Sequence, residues 1–180
     1  MLRRAGSMVM GLVLATLGGC AAMSADECRT ADWREQGIRD ALAGYERTRL
    51  QDVRKACAEA GVMPDETQYW QGWQRGIAQF CTPANGLSWG RQGGRYANSC
   101  PPELEQGFLP RYQLGYRAWQ AEQDVNRLRN EQTSKERDLS KAKDDGERRR
   151  LRRDLSDLDW RLRSARDTLD RAEWAVRQSM

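Results

Sequence analysis

Carboxylates and cysteines are the residues able to do chemistry in this chain, because its 180 residues include no histidine. The commonest general base, the Ser–His and Cys–His nucleophile pairs and the usual zinc ligand are all missing with it. Acid–base work would fall to Asp32, Glu35, Asp40, Asp65 and Glu66. Two carboxyls on facing helices could cleave a glycosidic bond, one protonating the leaving oxygen and the other acting as nucleophile or base. Asp32 and Asp65 suit helix N-caps equally well, and the others suit a solvated face. The sequence therefore predicts no enzyme, no cofactor and no metal site, with a carboxylate cell-wall hydrolase as the third and weakest reading.

The five cysteines divide into one and four. Residues 1–19 read as a signal peptide, with Arg3 and Arg4 ahead of an apolar run from Met8 to Leu17. That run is too short to span a bilayer, which needs roughly 20 residues. It ends in Leu17-Gly18-Gly19-Cys20, which resembles the bacterial lipobox: an aliphatic residue, two small residues, then the cysteine whose thiol takes the lipid. Cys20 is the predicted lipidation site and the start of a tether over 20–27. Ala21 follows it, which favours the outer membrane over retention at the inner one. Cys28, Cys57, Cys81 and Cys100 remain, an even set that suits an oxidising compartment.

Helical elements must position these groups. Asp32–Tyr45 reads as a helix with an apolar stripe of Ile38, Leu42 and Tyr45 beside a row of Gly37, Ala41 and Gly44. Arg47–Ala60 reads as a second helix; an antiparallel hairpin of the two would bring Cys28 to Cys57. Asp65 caps a third, Thr67–Cys81. Residues 82–99 are rich in glycine and costly to order, so a Cys81–Cys100 bond is expected to close them as a loop, gaining about 3 kcal/mol. Pro101-Pro102 restarts the chain as a helix with Phe108, Tyr112 and Tyr116 in its core. From Leu114 the pattern becomes heptads, through Ala118, Ala121, Val125 and Leu128 to Ala142. A second series runs from Leu151 to Val176, out of phase with the first. A turn at 144–146 reconciles them as an antiparallel coiled coil, with Gln132 and Lys135 interrupting the seam to fix register. The fold class is mainly α: a small disulfide-linked helical domain over 28–116, followed by a long antiparallel hairpin over 117–180.

Aromatic residues alternate with glycine along the domain. Trp70, Trp73, Trp89 and Tyr96 are candidate ligand contacts, either a platform for peptidoglycan or another glycan, or a core in which glycine admits large rings. Trp160 and Trp174 fall off the heptad seam, two heptads apart, and are candidate partner contacts. The run "DWREQGIRDALAG", the helix "YWQGWQRGIAQFC", the segment "GLSWGRQGGRYANSC" and the following "FLPRYQLGY" are similar to a family of small bacterial lipoproteins catalogued as a domain of unknown function. The resemblance covers about Cys28 to Tyr116, and the hairpin is an extension of a kind some members carry. It implies an exported, lipid-anchored, cysteine-linked domain and no activity.

Charge excludes one class of partner. Arg3 and Arg4 supply two of 30 basic side chains set against 26 acidic ones, so little surplus remains after their removal and no nucleic-acid footprint is expected. The expectation is a cell-envelope structural or interaction protein, attached to the membrane by its lipid and binding an envelope protein through the hairpin. A peptidoglycan-binding module is the alternative.

Overall fold

The computed structural model describes residues 22–179; Cys20 and residues 1–19, read above as a signal peptide, lie outside them. Among the described residues there are seven helices and no strand: α1 (Ala25–Thr30), α2 (Trp33–Leu42), α3 (Arg49–Ala58), α4 (Glu66–Phe80), α5 (Pro83–Arg91), α6 (Pro102–Lys141) and α7 (Asp145–Gln178). Both expected disulfides form, Cys28–Cys57 and Cys81–Cys100, the first without the hairpin that suggested it.

Several sequence expectations need correction. Residues 23–27, expected within a tether, are instead part of the folded domain: Met23 is buried and Ser24 caps α1 through a capping box with Glu27. Residues 83–91, expected as a glycine-rich loop, form α5, which Thr82 caps by accepting from the Asn85 amide and which Pro83 opens at its first turn. Helices α2 and α3 do not form a hairpin with each other; α2 packs on α4, and α3 on α1.

Glycine explains why α2 and α5 pack as they do. The apolar stripe of α2 is not its buried face: Leu42 and Tyr45 are exposed, whereas Gly37, Ala41 and Gly44 are buried. A Cβ at Gly37 would overlap the Tyr69 carbonyl oxygen and sit 2.8 Å from the Trp73 nitrogen. Gly72 lies against the Arg34 carbonyl in the same way. Backbone therefore meets backbone where α2 crosses α4. The crossing of α5 with α6 repeats this plan. Gly90 lies on the Tyr112 carbonyl and Gly115 on the Leu87 carbonyl.

The repeat is exact in sequence spacing. Cys28 precedes Gly37 by the same interval as Cys81 precedes Gly90, and Cys57 precedes Tyr69 as Cys100 precedes Tyr112. The two bonded cysteines are 29 residues apart in the first half and 19 in the second. The ten extra residues of the first half fall between Gly37 and Cys57, in the stretch that holds the α2–α3 connection and the start of α3. One core joins the halves: Phe80 contacts Phe108 at 5.2 Å and Trp89 at 5.3 Å between ring centroids.

Helix α6 crosses the expected domain boundary at 116/117 without a break. It runs for 40 residues, about 60 Å, and α7 for 34, about 51 Å. Stacked rings carry it from the domain into the hairpin, Tyr112 on Tyr116 at 5.5 Å and Tyr116 on Trp119 at 5.3 Å. The chain reverses at 142–144, where Asp144 caps α7 by accepting from the Glu147 amide. Val125 and Leu128 pack against Leu158 and Leu162 in the seam. Gln132 donates to Asp159 and Lys135 to Asp154, so the seam's polar positions are bonded across the hairpin. The far end of α7 returns to the domain, where Arg91 pairs with Glu173 at 2.7 Å.

Candidate functional site

Four of the five candidate carboxylates are engaged within the protein. Asp32 accepts from the amides of Arg34 and Glu35 at 2.9 and 3.0 Å, and Asp65 from that of Gln68 at 3.0 Å. Both are helix caps. Glu66 pairs with Arg54, and Glu35 is exposed in the first turn of α2. Asp40 is the one buried, at 4% exposure.

Asp40 sits in a bonded cluster. The Tyr69 hydroxyl donates to one carboxylate oxygen at 2.8 Å, and the Gln36 amide donates to the other at 3.0 Å. Arg39 donates in turn to the Gln36 oxygen at 2.6 Å, and the Arg49 guanidinium stands 3.8 Å from Asp40. Burial pushes the Asp40 carboxyl above its ordinary range, and the Tyr69 hydroxyl, Arg49 and Gln36 pull part of the way back. Burial and the Asp40 carboxylate likewise push the Tyr69 phenol far up. This cluster ties α2 to α4 and to the Arg49 end of α3. Its counterpart in the second half is different: the Tyr96 hydroxyl donates to Glu105 at 2.8 Å, and the Tyr96 amide donates to Tyr112.

The aromatic candidates separate into two groups. Trp73 is a core residue at 2% exposure, and Trp70, Trp89 and Tyr96 pack on the same core. Trp70 meets Trp73 edge-on at 5.7 Å, and the Arg47 guanidinium lies 5.5 and 5.4 Å from their ring centroids. The Trp89 indole lies over Gly94 and donates to the Arg95 carbonyl. The faces of these rings are thus largely taken by protein. Trp160 and Trp174 stand apart on α7, at 64% and 59% exposure.

A groove of about 680 Å³ opens beside Trp73. The α2–α3 connection (Glu46, Arg47), α4 (Trp73, Ile77) and the chain entering α6 (Ser99, Leu104) line it. The Trp73 indole nitrogen and the Ser99 hydroxyl are buried with no hydrogen-bond partner. Neither Arg47 nor Ser99 stands out in the sequence; the nearest signal is the Asn98-Ser99 pair immediately before Cys100-Pro101. Among the described residues no cluster of acids and cysteines could hold a metal ion, and no helix is long and apolar enough to cross a membrane.

Residues 32–117 match the model of a family described as a protein of unknown function (DUF2799). That span begins at the α2 cap and ends in α6 beyond Tyr116, so it takes in both glycine crossings. No curated protein and no solved structure matches the chain.

Proposed function

We propose that this chain is a non-catalytic, lipid-anchored protein of the cell envelope, exposed to the periplasm at the outer membrane, whose hairpin binds another envelope protein. The lipobox-like Leu17-Gly18-Gly19-Cys20 supports the anchor. The pairing of Cys28 with Cys57 and Cys81 with Cys100 fits an oxidising compartment. The observation that carries the binding reading is the exposure of Trp160 and Trp174 on one helix of a hairpin whose seam is already filled. Large exposed indoles are uncommon on a surface otherwise rich in charge, and Trp is a frequent anchor in protein interfaces.

The peptidoglycan-platform alternative has less behind it, since Arg47 covers the Trp70–Trp73 pair and Trp73 itself is buried. The hydrolase reading has least, since Asp32, Asp65, Glu66 and Asp40 serve as caps or internal partners and Glu35 stands alone on the surface.

Photo-crosslinking residues placed at 160 and 174 in intact cells test the binding reading. It expects one discrete adduct from both positions and none from the exposed α6 position Arg137. Equal adducts from all three, or none, would remove the hairpin as a binding arm. Metabolic labelling with a fatty-acid analogue tests the anchor, with label lost in Cys20→Ser.

A further inference from the structure

We infer that the tip of the hairpin docks on the anionic headgroups of a lipid bilayer. The contact is separate from the protein-binding role given to Trp160 and Trp174, which lie further along α7; the choice of lipid among polyanions rests on the envelope reading. Residues 141–153 join the end of α6 to the start of α7. Of the chain's 30 basic and 26 acidic side chains, seven and three fall in this segment, which leaves 23 of each elsewhere. The whole positive excess of the protein therefore sits at one place. That place is about 38 Å beyond Tyr116 along α6, counted to Lys141 at 1.5 Å per residue. All seven cations are exposed, and only Ala142 and Leu151 are buried, at 5% and 2% exposure.

The charges are arranged so that the fold does not answer them. With Leu151 buried, the helical period spreads Arg148, Arg149, Arg150, Arg152 and Arg153 over the outward side of α7. Arg148 and Arg152 stand four residues apart, as do Arg149 and Arg153, a spacing at which like charges repel. None of the five forms an ion pair among the described residues, whereas Arg127, Lys135 and Arg161 lower on the hairpin each hold an acid. The three acids serve the start of α7: Asp144 caps it, and Asp145 and Glu147 stand in its first turn, against the positive end of its dipole. An anionic surface outside the molecule supplies the missing counter-charge. A projecting tip with cations around its side fits an extended surface rather than a ligand enclosed in a pocket. Guanidinium groups bond phosphate oxygens in a two-pronged fashion. No large apolar side chain is exposed over 141–153, so the contact stays at the headgroups and does not enter the hydrocarbon. Clusters of about four to eight basic residues bind anionic bilayers, each cation contributing about fivefold in affinity.

Vesicle sedimentation tests this, with the chain taken from Ala21 onward, which keeps every described helix and both disulfides and bears no lipid. Vesicles of phosphatidylethanolamine and phosphatidylglycerol should bind it at about 50 mM salt and release it by about 500 mM, and phosphatidylcholine vesicles should not bind it. The triple variant Arg149→Gln, Arg152→Gln, Arg153→Gln should bind about a hundredfold more weakly. Its melting temperature should not fall, because these side chains are exposed and unpaired. Removing three exposed cations from the domain instead, with Lys55→Gln, Arg75→Gln and Arg95→Gln, should leave binding unchanged. Trp160→Ala with Trp174→Ala should leave it unchanged too, which keeps this contact distinct from the protein-binding reading. Absent binding to the anionic vesicles, equal binding to neutral ones, insensitivity to salt, an equal loss in the domain or tryptophan variant, or tighter binding per phosphate to duplex DNA would overturn the assignment.

Discussion

Gly37 rests directly on the peptide carbonyl of Tyr69, so that the backbones of α2 and α4 touch without an intervening side chain. Gly90 rests on Tyr112 in the same manner, at the equivalent place in the second half of the domain. Each contact is set between a disulfide and a buried aromatic cluster, so neither helix is free to back away. Gly37→Ala and Gly90→Ala should each destabilise the domain by about 1–3 kcal/mol, the usual range for overpacking. Gly61→Ala is the control of a different kind: no atom lies within 4 Å, and only its φ of 70° resists the change. It should cost about 1 kcal/mol. Urea denaturation of the three variants ranks them; a loss at Gly37 no larger than that at Gly61 would mean the helices separate easily.

The Asp40 cluster gives a pH signature with a definite sign. Its carboxyl is raised in the folded state above the ordinary value of 3.8, so the folded protein holds that proton more tightly than the unfolded chain. The contribution is therefore fully present below pH about 3.8 and is lost as pH rises through the raised folded value. Asp40→Asn removes it. Stability of the parent relative to Asp40→Asn should fall across that rise and then level off. Tyr69→Phe, which deletes the hydroxyl that donates to Asp40 at 2.8 Å, should cost about 1–3 kcal/mol when Asp40 is ionised and less when it is protonated. Thermal melts from pH 3 to 8 on the parent and both variants measure this; a pH-independent difference between parent and Asp40→Asn would contradict it.

Sequence pattern served the hairpin better than the domain. In the hairpin the seam is built from aliphatic side chains, so heptads at Val125, Leu128, Leu158 and Leu162 mark the buried face directly. In the domain the buried faces of α2 and α5 are marked by glycine, and hydrophobic periodicity is blind to a residue that packs by having no side chain. That is why Ile38, Leu42 and Tyr45 looked like the inward stripe of α2, and why the segment containing Gly86 and Gly90 looked like a loop. The cysteine and glycine intervals did encode the internal repeat. Ten extra residues between Gly37 and Cys57, present in one half alone, conceal it from simple inspection. Of the candidate contacts, Trp160 and Trp174 were legible as off-seam positions, whereas the Ser99 and Arg47 groove depends on three distant segments converging.

Loss of one disulfide should be felt by the domain and not by the far hairpin. Cys81–Cys100 closes a segment with a separation of 19 residues, for which chain entropy predicts about 3 kcal/mol. The paired substitution Cys81→Ala with Cys100→Ala should lower domain stability by that order. Seam residues from Val125 to Leu162 lie in a separate cluster and should keep their amide protection. Hydrogen exchange resolved by segment reads both at once. Equal loss of protection in the domain and at Leu128 would show that the two unfold as one unit.

The hairpin itself offers a separation between stability and binding. Leu158 is 3% exposed in the seam, and its neighbour Trp160 on the next face is 64% exposed. Leu158→Ala should cost about 2–4 kcal/mol through lost burial and the cavity left behind. Trp160→Ala and Trp174→Ala remove side chains with few internal contacts, so each should change stability by no more than about 0.5 kcal/mol. If these indoles anchor a partner, the double variant should fold normally and lose its crosslinks in the envelope, because interface energy concentrates in a few large residues. A double variant that melts several degrees below the parent would instead mean that both rings are structural, packing along the exposed side of α7. Their fourteen-residue spacing would then reflect helix geometry alone.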